Sequence, residues 1–191
     1  MVTSDLKRKS AMNKNAELFE AMLKNNKITA FRPAEEAQDE YHSVIYRTLL
    51  DVKGKLLQTL VIFDDTPYVV IRCFLEPKAV NDGNRVSVER ELTRLNGENK
   101  VVKYYVSPAE DVAASACIPY LLMSNAANDM SNATSTFDPN IVRLILDVFM
   151  NALPEAYERI MKAVYGGGMT NNEVKEVQQA AEAEQAPEAA N

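Results

Sequence analysis

The stretch YHSVIYRTLLDVKGKLLQTLVIFDDTPYVVIRCFL, residues 41–75, holds three long segments that are rich in β-branched, aromatic and aliphatic residues. In the first segment, Val44, Tyr46 and Thr48 recur at every second position. This is the two-residue period with which the side chains of a β-strand point to one face of a sheet. Gly54 lies between the first two segments and readily adopts the positive φ of a hairpin turn. Connections this short favour antiparallel neighbours. The stretch therefore predicts a meander of three strands, Tyr41–Leu50, Leu56–Phe63 and Tyr68–Leu75.

Segments on both sides of the meander complete the predicted fold. Before it, apolar residues at helical spacing indicate a short amphipathic helix. After it, Val88, Leu92 and Leu95 fall at i, i+4 and i+7 and predict a second helix. The remaining predicted elements are a helix over Ala16–Leu23, strands within Ile28–Arg32, Val101–Val106 and Val112–Met123, and a loop over Ser124–Thr136.

The last folded element has the strongest helical pattern. Asp138 is a typical N-cap, and Pro139 suits the first turn of a helix. A wide apolar face follows, and we expect Pro154 to kink or divide the helix, because proline lacks the N–H that a helix interior uses. The triplet Gly166–Gly168 is expected to end it.

The order α-β-β-β-α-β-β-α predicts an α+β fold, an antiparallel sheet of five to six strands covered by helices on one face. At 191 residues and 47% hydrophobic composition, the chain can bury one sizeable core. We expect residues 1–14 to be a flexible N-terminus, 15–168 a single domain and 169–191 a disordered acidic tail. The tail carries five glutamates and one lysine, and either keeps the chain in solution or recruits a partner.

Charge and hydropathy restrict the classes of partner. A net charge of −6 disfavours nucleic-acid binding, and no run of 18 apolar residues predicts a membrane span. No apolar stretch follows the basic N-terminal residues, so a secretory signal is not expected either. We therefore predict a cytoplasmic protein in which Cys73 and Cys117 are reduced, adjacent and buried.

Residue types that support catalysis do not form a recognisable set. His42 is the only histidine, and we expect it at the surface or on an edge strand. Asp64-Asp65 is typical of a turn, and Gly166–Gly168 lacks the residues of a phosphate-binding loop. In Tyr104-Tyr105 only one ring can face outward from a strand. The sequence thus predicts no enzyme, no catalytic residues, no cofactor and no metal site.

One region resembles a known family. Leu95-Asn96-Gly97-Glu98-Asn99 ends a helix and is followed by the aromatic strand Val101–Val106, the acidic turn Glu110-Asp111 and a final strand. This arrangement, extended over about 15–165, is similar to the YbjN-like family, which resembles type III secretion chaperones in fold. The resemblance implies a dimerising, cytoplasmic, chaperone-like or regulatory module without catalytic residues. The loop over Ser124–Thr136, Pro154 and the acidic tail depart from the family's usual form.

We therefore predict a protein-binding module, a homodimer that holds a peptide segment of an unidentified protein client. The last helix has large apolar residues on more than one side, and such a surplus usually contacts a second chain. The alternative is a regulatory domain that responds to a small ligand, bound between the sheet and the last helix where Ala113–Ala116 leave space. The predicted interface residues are Val142, Leu146, Phe149 and Leu153.

Overall fold

A computed structural model of the protein describes residues 13–120, 122–123 and 134–166. The elements are α1 (Lys14–Asn25), β1 (Glu35–Glu36), β2 (Val44–Val52), β3 (Lys55–Phe63), β4 (Tyr68–Glu76), α2 (Arg85–Glu98), β5 (Lys103–Val106), β6 (Val112–Pro119), β7 (Leu122–Met123), β8 (Thr134–Ser135) and α3 (Asn140–Tyr165).

Strands β1 to β6 form one antiparallel sheet in the order β1-β2-β3-β4-β6-β5, and β7 pairs with β8 separately. Strands β2 and β3 pair along their whole length, from Val44 opposite Phe63 to Val52 opposite Lys55. The turn between them uses Lys53 at φ 53° and Gly54 at φ 84°, the positive values that a two-residue hairpin requires. The α+β class and the antiparallel meander are confirmed.

Alternation along the strands gives the sheet two different faces. The face that holds the buried side chains of Tyr46, Val61 and Ile71 is here called the inner face. The opposite side, here called the open face, has half-buried or exposed side chains at most positions. Its residues are Ile45, Arg47, Leu49, Asp51, Leu56, Gln58, Leu60, Ile62, Tyr68, Val70, Arg72, Phe74, Lys103, Tyr105, Ala113, Ser115, Cys117 and Pro119.

Helix α1 is attached to the inner face by an aromatic cluster. The ring of Phe19 packs edge-on against Tyr46, with centroids 5.0 Å apart, and lies 5.4 Å from Phe63. The Tyr46 hydroxyl donates a hydrogen bond to the carbonyl of Ala16 at 3.0 Å. These contacts fix α1 across β2 and β3, because aromatic pairs add about 0.5–1.5 kcal/mol each beyond their burial.

Helices α2 and α3 are joined by polar contacts beside the same face. The Arg159 guanidinium contacts Glu91 at 2.6 Å and Glu98 at 2.6 and 3.0 Å. At the end of α3, the buried Asn84 amide donates to the carbonyl of Val164 at 3.1 Å. Since α1, α2 and α3 contact inner-face residues, none of the helices among the described residues covers the open face.

The strand predicted within Ile28–Arg32 is wrong. The amide of Ile28 donates to the carbonyl of Leu23 at 2.9 Å and so closes the end of α1, where Lys27 has φ 54°. In the rest of this segment only Arg32 bonds the β2 backbone, donating to Arg47 at 2.8 Å. The edge strand is instead the two-residue β1, which pairs with Val44 and Ile45.

Helix α3 runs from Asn140 to Tyr165 without interruption, so Pro154 does not divide it, and the other predicted outcome, a kink, stays a prediction. Asp138 does cap its start, because its carboxylate accepts a hydrogen bond from the Asn140 amide at 2.9 Å. Gly166 forms the C-cap and donates to the carbonyl of Lys162 at 2.8 Å.

Several boundaries differ from the predicted ones or lie outside the described residues. The Asn13 side chain accepts hydrogen bonds from the amides at the start of α1, so ordered structure begins before residue 15. Residues 1–12, most of the predicted loop (124–133) and the predicted acidic tail (169–191) lie outside the described residues. None of the described helices is long and apolar enough to cross a membrane.

We expect Phe149→Ala to lower the free energy of unfolding by about 3–5 kcal/mol, because Phe149 is 0% exposed and its removal leaves a cavity. Val86→Ala is the control at an exposed apolar position of α2. Val86 is 49% exposed, and its truncation should cost less than about 0.5 kcal/mol. Urea unfolding measures both values, and equal losses would contradict the placement of Phe149 in the core.

Candidate functional site

The four predicted interface residues do not form a free surface. Val142, Phe149 and Leu153 are fully buried in the core of this chain, and Leu146 is half-buried in a pocket against α1. The prediction of surplus surface at these positions is therefore wrong. The physical reason is that the inner face is wide and apolar, so the most continuous apolar stripe of α3 packs against it.

Helix α3 does carry a second apolar stripe on another side. Ile141, Leu144, Ile145 and Val148 recur at i, i+3, i+4 and i+7. The first two are exposed and the others half-buried. This stripe is the part of α3 that is accessible to a second chain.

The C-terminal half of β2, which β1 does not reach, is a free sheet edge; below it is called the far half of β2. The carbonyls of Ser43 and Arg47 accept bonds from residues before β2, which shows that the backbone groups of odd-numbered residues point away from β3. The outward N–H and C=O groups of Leu49 and Asp51 have no hydrogen-bond partner among the described residues. These unpaired groups are a template for one more strand.

An apolar pocket opens beside this edge, on the inner side of the sheet. Its volume is about 250 Å³, and it lies between α1, β2 and α3. Arg143 and Asp147 are its charged residues, and neither forms an ion pair within the described part of the chain. The pocket is lined by Phe19, Met22, Leu23, Ile28, Phe31, Leu50, Arg143, Leu146, Asp147 and Met150.

At the opposite end of the sheet, the middle of β5 is closed by a side chain. The Asn96 amide donates to the carbonyl of Tyr104 at 2.9 Å, and its oxygen accepts from the Tyr104 N–H at 2.8 Å. The carboxamide thus forms the two bonds that a neighbouring strand would form. The two edges of the sheet therefore differ, since β5 is blocked and the far half of β2 is free.

The open face combines apolar side chains with a central cation. Leu49 and Leu56 are 51% and 61% exposed. Arg72 lies between Leu60 and Ser115 in the cross-strand register, and no carboxylate among the described residues pairs with it. Cys117 is exposed here, whereas Cys73 is buried on the inner face, so the prediction of two adjacent buried thiols is wrong.

The remaining candidates for chemistry make local contacts. His42 is exposed, and its Nδ1 lies 2.7 Å from a carboxylate oxygen of Asp65, a hydrogen bond that raises the pKa of this histidine. The Asp64 carboxylate accepts a hydrogen bond from the Thr66 amide at 2.8 Å within the predicted turn. Tyr104 is buried and Tyr105 half-buried on the other side, as alternation predicts. No group of three His, Cys, Asp or Glu in the described ranges could hold a metal ion.

The small residues Ala113–Ala116 do not create the expected ligand space. Ala113, Ala114 and Ala116 are buried among packed neighbours and line neither the pocket beside β2 nor a second cavity of about 290 Å³. That second cavity opens where β3 and β4 separate beyond the pair Thr59–Cys73, between Leu56–Gln58 and Phe74–Pro77.

Comparison of the chain with protein-family models, curated proteins and solved structures gave no match. The resemblance to the YbjN-like family therefore stays a prediction.

Sequence reasoning missed the free edge of β2 and the unpaired Arg72. The predicted strand within Ile28–Arg32 would have covered the edge, and only the cap geometry at Lys27 shows that it does not form. For Arg72 a signal was present in the sequence. Alternation along β4 places its side chain on the face of the sheet opposite to that of its buried neighbours Ile71 and Cys73.

The two thiols should differ sharply in reactivity. Burial raises the pKa of Cys73 to about 11, so this group is neither accessible nor ionised near neutral pH. We expect a thiol reagent at pH 7.5 to label Cys117 in the folded protein and Cys73 only in urea. Mass spectrometry of digests checks this, and Cys117→Ser, which should leave the native protein unlabelled, is the control.

Proposed function

We propose that this chain is a non-enzymatic protein-binding module that holds an extended segment of a partner protein by strand addition at β2. The observation that carries the proposal is the pair of unpartnered backbone positions, Leu49 and Asp51, beside an apolar pocket. In strand addition, main-chain hydrogen bonds provide affinity and pockets for alternate side chains provide specificity. Both components are present at this edge.

The expected geometry follows from strand alternation. A segment antiparallel to Leu49–Asp51 would form up to four main-chain hydrogen bonds, two with each residue. The segment's residue opposite Leu50 would turn its side chain to the inner side, where the pocket is lined by Phe31 and Met150. The partner segment therefore needs a large apolar residue at that one position.

Pocket size separates this proposal from the small-ligand alternative. Sites for drug-sized ligands usually measure about 300–1,000 Å³, whereas this pocket measures about 250 Å³ and is open to solvent. A single large side chain fits that volume, whereas a drug-sized ligand would extend beyond it. The alternative, a regulatory domain responding to a small ligand, would use the same pocket, and a metabolite that raises the melting temperature without any peptide would favour it.

The proposal includes self-association and a cytoplasmic location. The exposed stripe of α3, from Ile141 to Val148, has the spacing of a helix that packs against a second copy. Reduced cysteines suit the cytoplasm, and Cys73 and Cys117 are both free.

A synthetic heptapeptide tests the strand addition. We expect a peptide of threonine and valine in alternation, with a central phenylalanine, to bind the isotope-labelled chain and shift the NMR signals of the Leu49 and Asp51 amides. Methylating the amide nitrogens of the two threonines that flank the phenylalanine should abolish binding, because those groups bond the edge.

Methylation of the phenylalanine amide is the matched control and should leave binding unchanged, since that nitrogen points away from β2. Replacing the phenylalanine by glycine should weaken binding about tenfold or more, because the pocket is left empty. Equal binding of the two methylated peptides would contradict the proposal, as would signal shifts confined to other strands.

For self-association, we expect light scattering to give a dimer at high micromolar concentration and Leu144→Glu to give a monomer, because a buried unpaired carboxylate is costly. Val86→Glu, a change of equal charge at an exposed position of α2, should leave the dimer intact. A wild-type chain that is monomeric under these conditions would show that the α3 stripe does not form an interface.

A further inference from the structure

The centre of the open face has a cation without a counter-ion. The Nε atom of Arg72 is buried and has no hydrogen-bond partner in the described residues. Its cross-strand neighbours are Leu60 and Ser115. Arg47, on the same face, differs because Glu35 pairs with it at 3.0 Å. A partly desolvated guanidinium without an acceptor is unfavourable, so this face favours an occupant that carries carboxylates.

Of the other charges on the open face, the exposed carboxylate of Asp51 lies at the end of β2 beside Leu56, and Lys103 is the charge nearest to Arg72 in the register. Lys103 lies in the same cross-strand row as Arg72, and its ammonium donates only to carbonyl groups, among them Asn96 at 2.7 Å. Face-to-face stacking of a second copy would bring these cations close to identical cations. An acidic segment is therefore a better match than another open face.

The chain leaves α3 close to the strand that carries Arg72. The Tyr157 hydroxyl of α3 lies 3.4 Å from a carboxylate oxygen of Glu76, and Tyr165, two turns further on, is the last residue of the helix. Glu76 is the last residue of β4 and lies four positions from Arg72, a distance of about 13 Å along the strand. Because Glu76 contacts Lys55 and Tyr157 and pairs with the buried, inner-face Val112, α3 ends on the inner side at this end of the sheet, and the chain that follows must pass round the end of β4 to reach Arg72.

The segment that follows α3 is opposite in charge to Arg72 and long enough to reach it. The segment 169–191, here called the acidic segment, has five glutamates and one lysine, a net charge of −4. From Gly166 to Glu176 an extended chain spans up to about 33 Å, more than the roughly 13 Å along β4 plus about 10 Å between packed layers. A tether this short gives a local concentration in the millimolar range.

We propose that the acidic segment binds back onto the open face of its own chain. Its carboxylates supply the counter-charge that the Arg72 guanidinium lacks among the described residues. The inference does not depend on the peptide site at β2, which uses another edge and another side of the sheet.

The alkylation rate of Cys117 in the full chain tests this inference. Cys117 lies on the open face, two residues from the Ser115 that is paired with Arg72. Iodoacetamide is a suitable reagent because it is uncharged. We expect the rate to rise about two- to tenfold when all five glutamates of the acidic segment become glutamine, as expected for a weak contact held by a millimolar tether. Raising the salt to 0.5 M should act in the same direction.

Arg72→Gln should also accelerate the reaction, although losing a nearby cation by itself makes a thiol less reactive. Arg90→Gln, the same change on α2, is the control and should react like the wild type. Unchanged rates in the glutamine variant would overturn the inference. So would protection that grows with protein concentration, which would show that a second copy covers the face, or protection that persists in Arg72→Gln.

Discussion

The contact between Phe19 and the aromatic pair Tyr46 and Phe63 fixes the rest of the structure in place. It holds α1 across the first two long strands, and the edge-on ring at 5.0 Å leaves little freedom in the crossing position. With α1 fixed there, α3 occupies the remaining part of the inner face. The pocket beside Leu50 is the space that these two helices leave between them.

Strand alternation then gives the two faces of the sheet different environments. The side chains that stabilise the fold lie on the inner face, where Thr48 and Thr59 are the buried polar residues of the strands. The hydroxyl of Thr48 donates to the carbonyl of Ala30 at 3.0 Å, which holds the preceding segment beside β2. Because the helices pack on one side only, the other side keeps exposed apolar side chains such as Leu49 and Leu56 beside the cation of Arg72.

Much of the fold is predictable from sequence because its signals are local. The meander follows from alternation and from Gly54, and α3 follows from a stripe that continues to Val164. The continuity of α3 through Pro154 is not local, because buried residues on both sides of the proline offset its cost through contacts with the sheet.

The candidate binding surfaces are less predictable, since they depend on which groups the packing of the helices leaves exposed. Phe149 and Leu153 have the composition of an interface, but the same composition suits a core, and only the width of the inner face decides between them. The free groups of Leu49 and Asp51 carry no side-chain signature at all, because backbone atoms are the same in every residue. Their availability depends on the path of the chain at Lys27 and Arg32.

The hydrogen bonds between Asn96 and Tyr104 limit how the sheet can extend from one molecule to the next. A sheet with two free edges can add copies of itself head to tail without limit, as filaments do. Here the carboxamide of Asn96 occupies one edge, so β2 of one molecule finds no acceptor strand at the middle of β5 in the next. If two copies pair edge to edge, β2 pairs with β2 about a twofold axis and the assembly is closed, so the Asn96 side chain disfavours growth of the sheet into a filament.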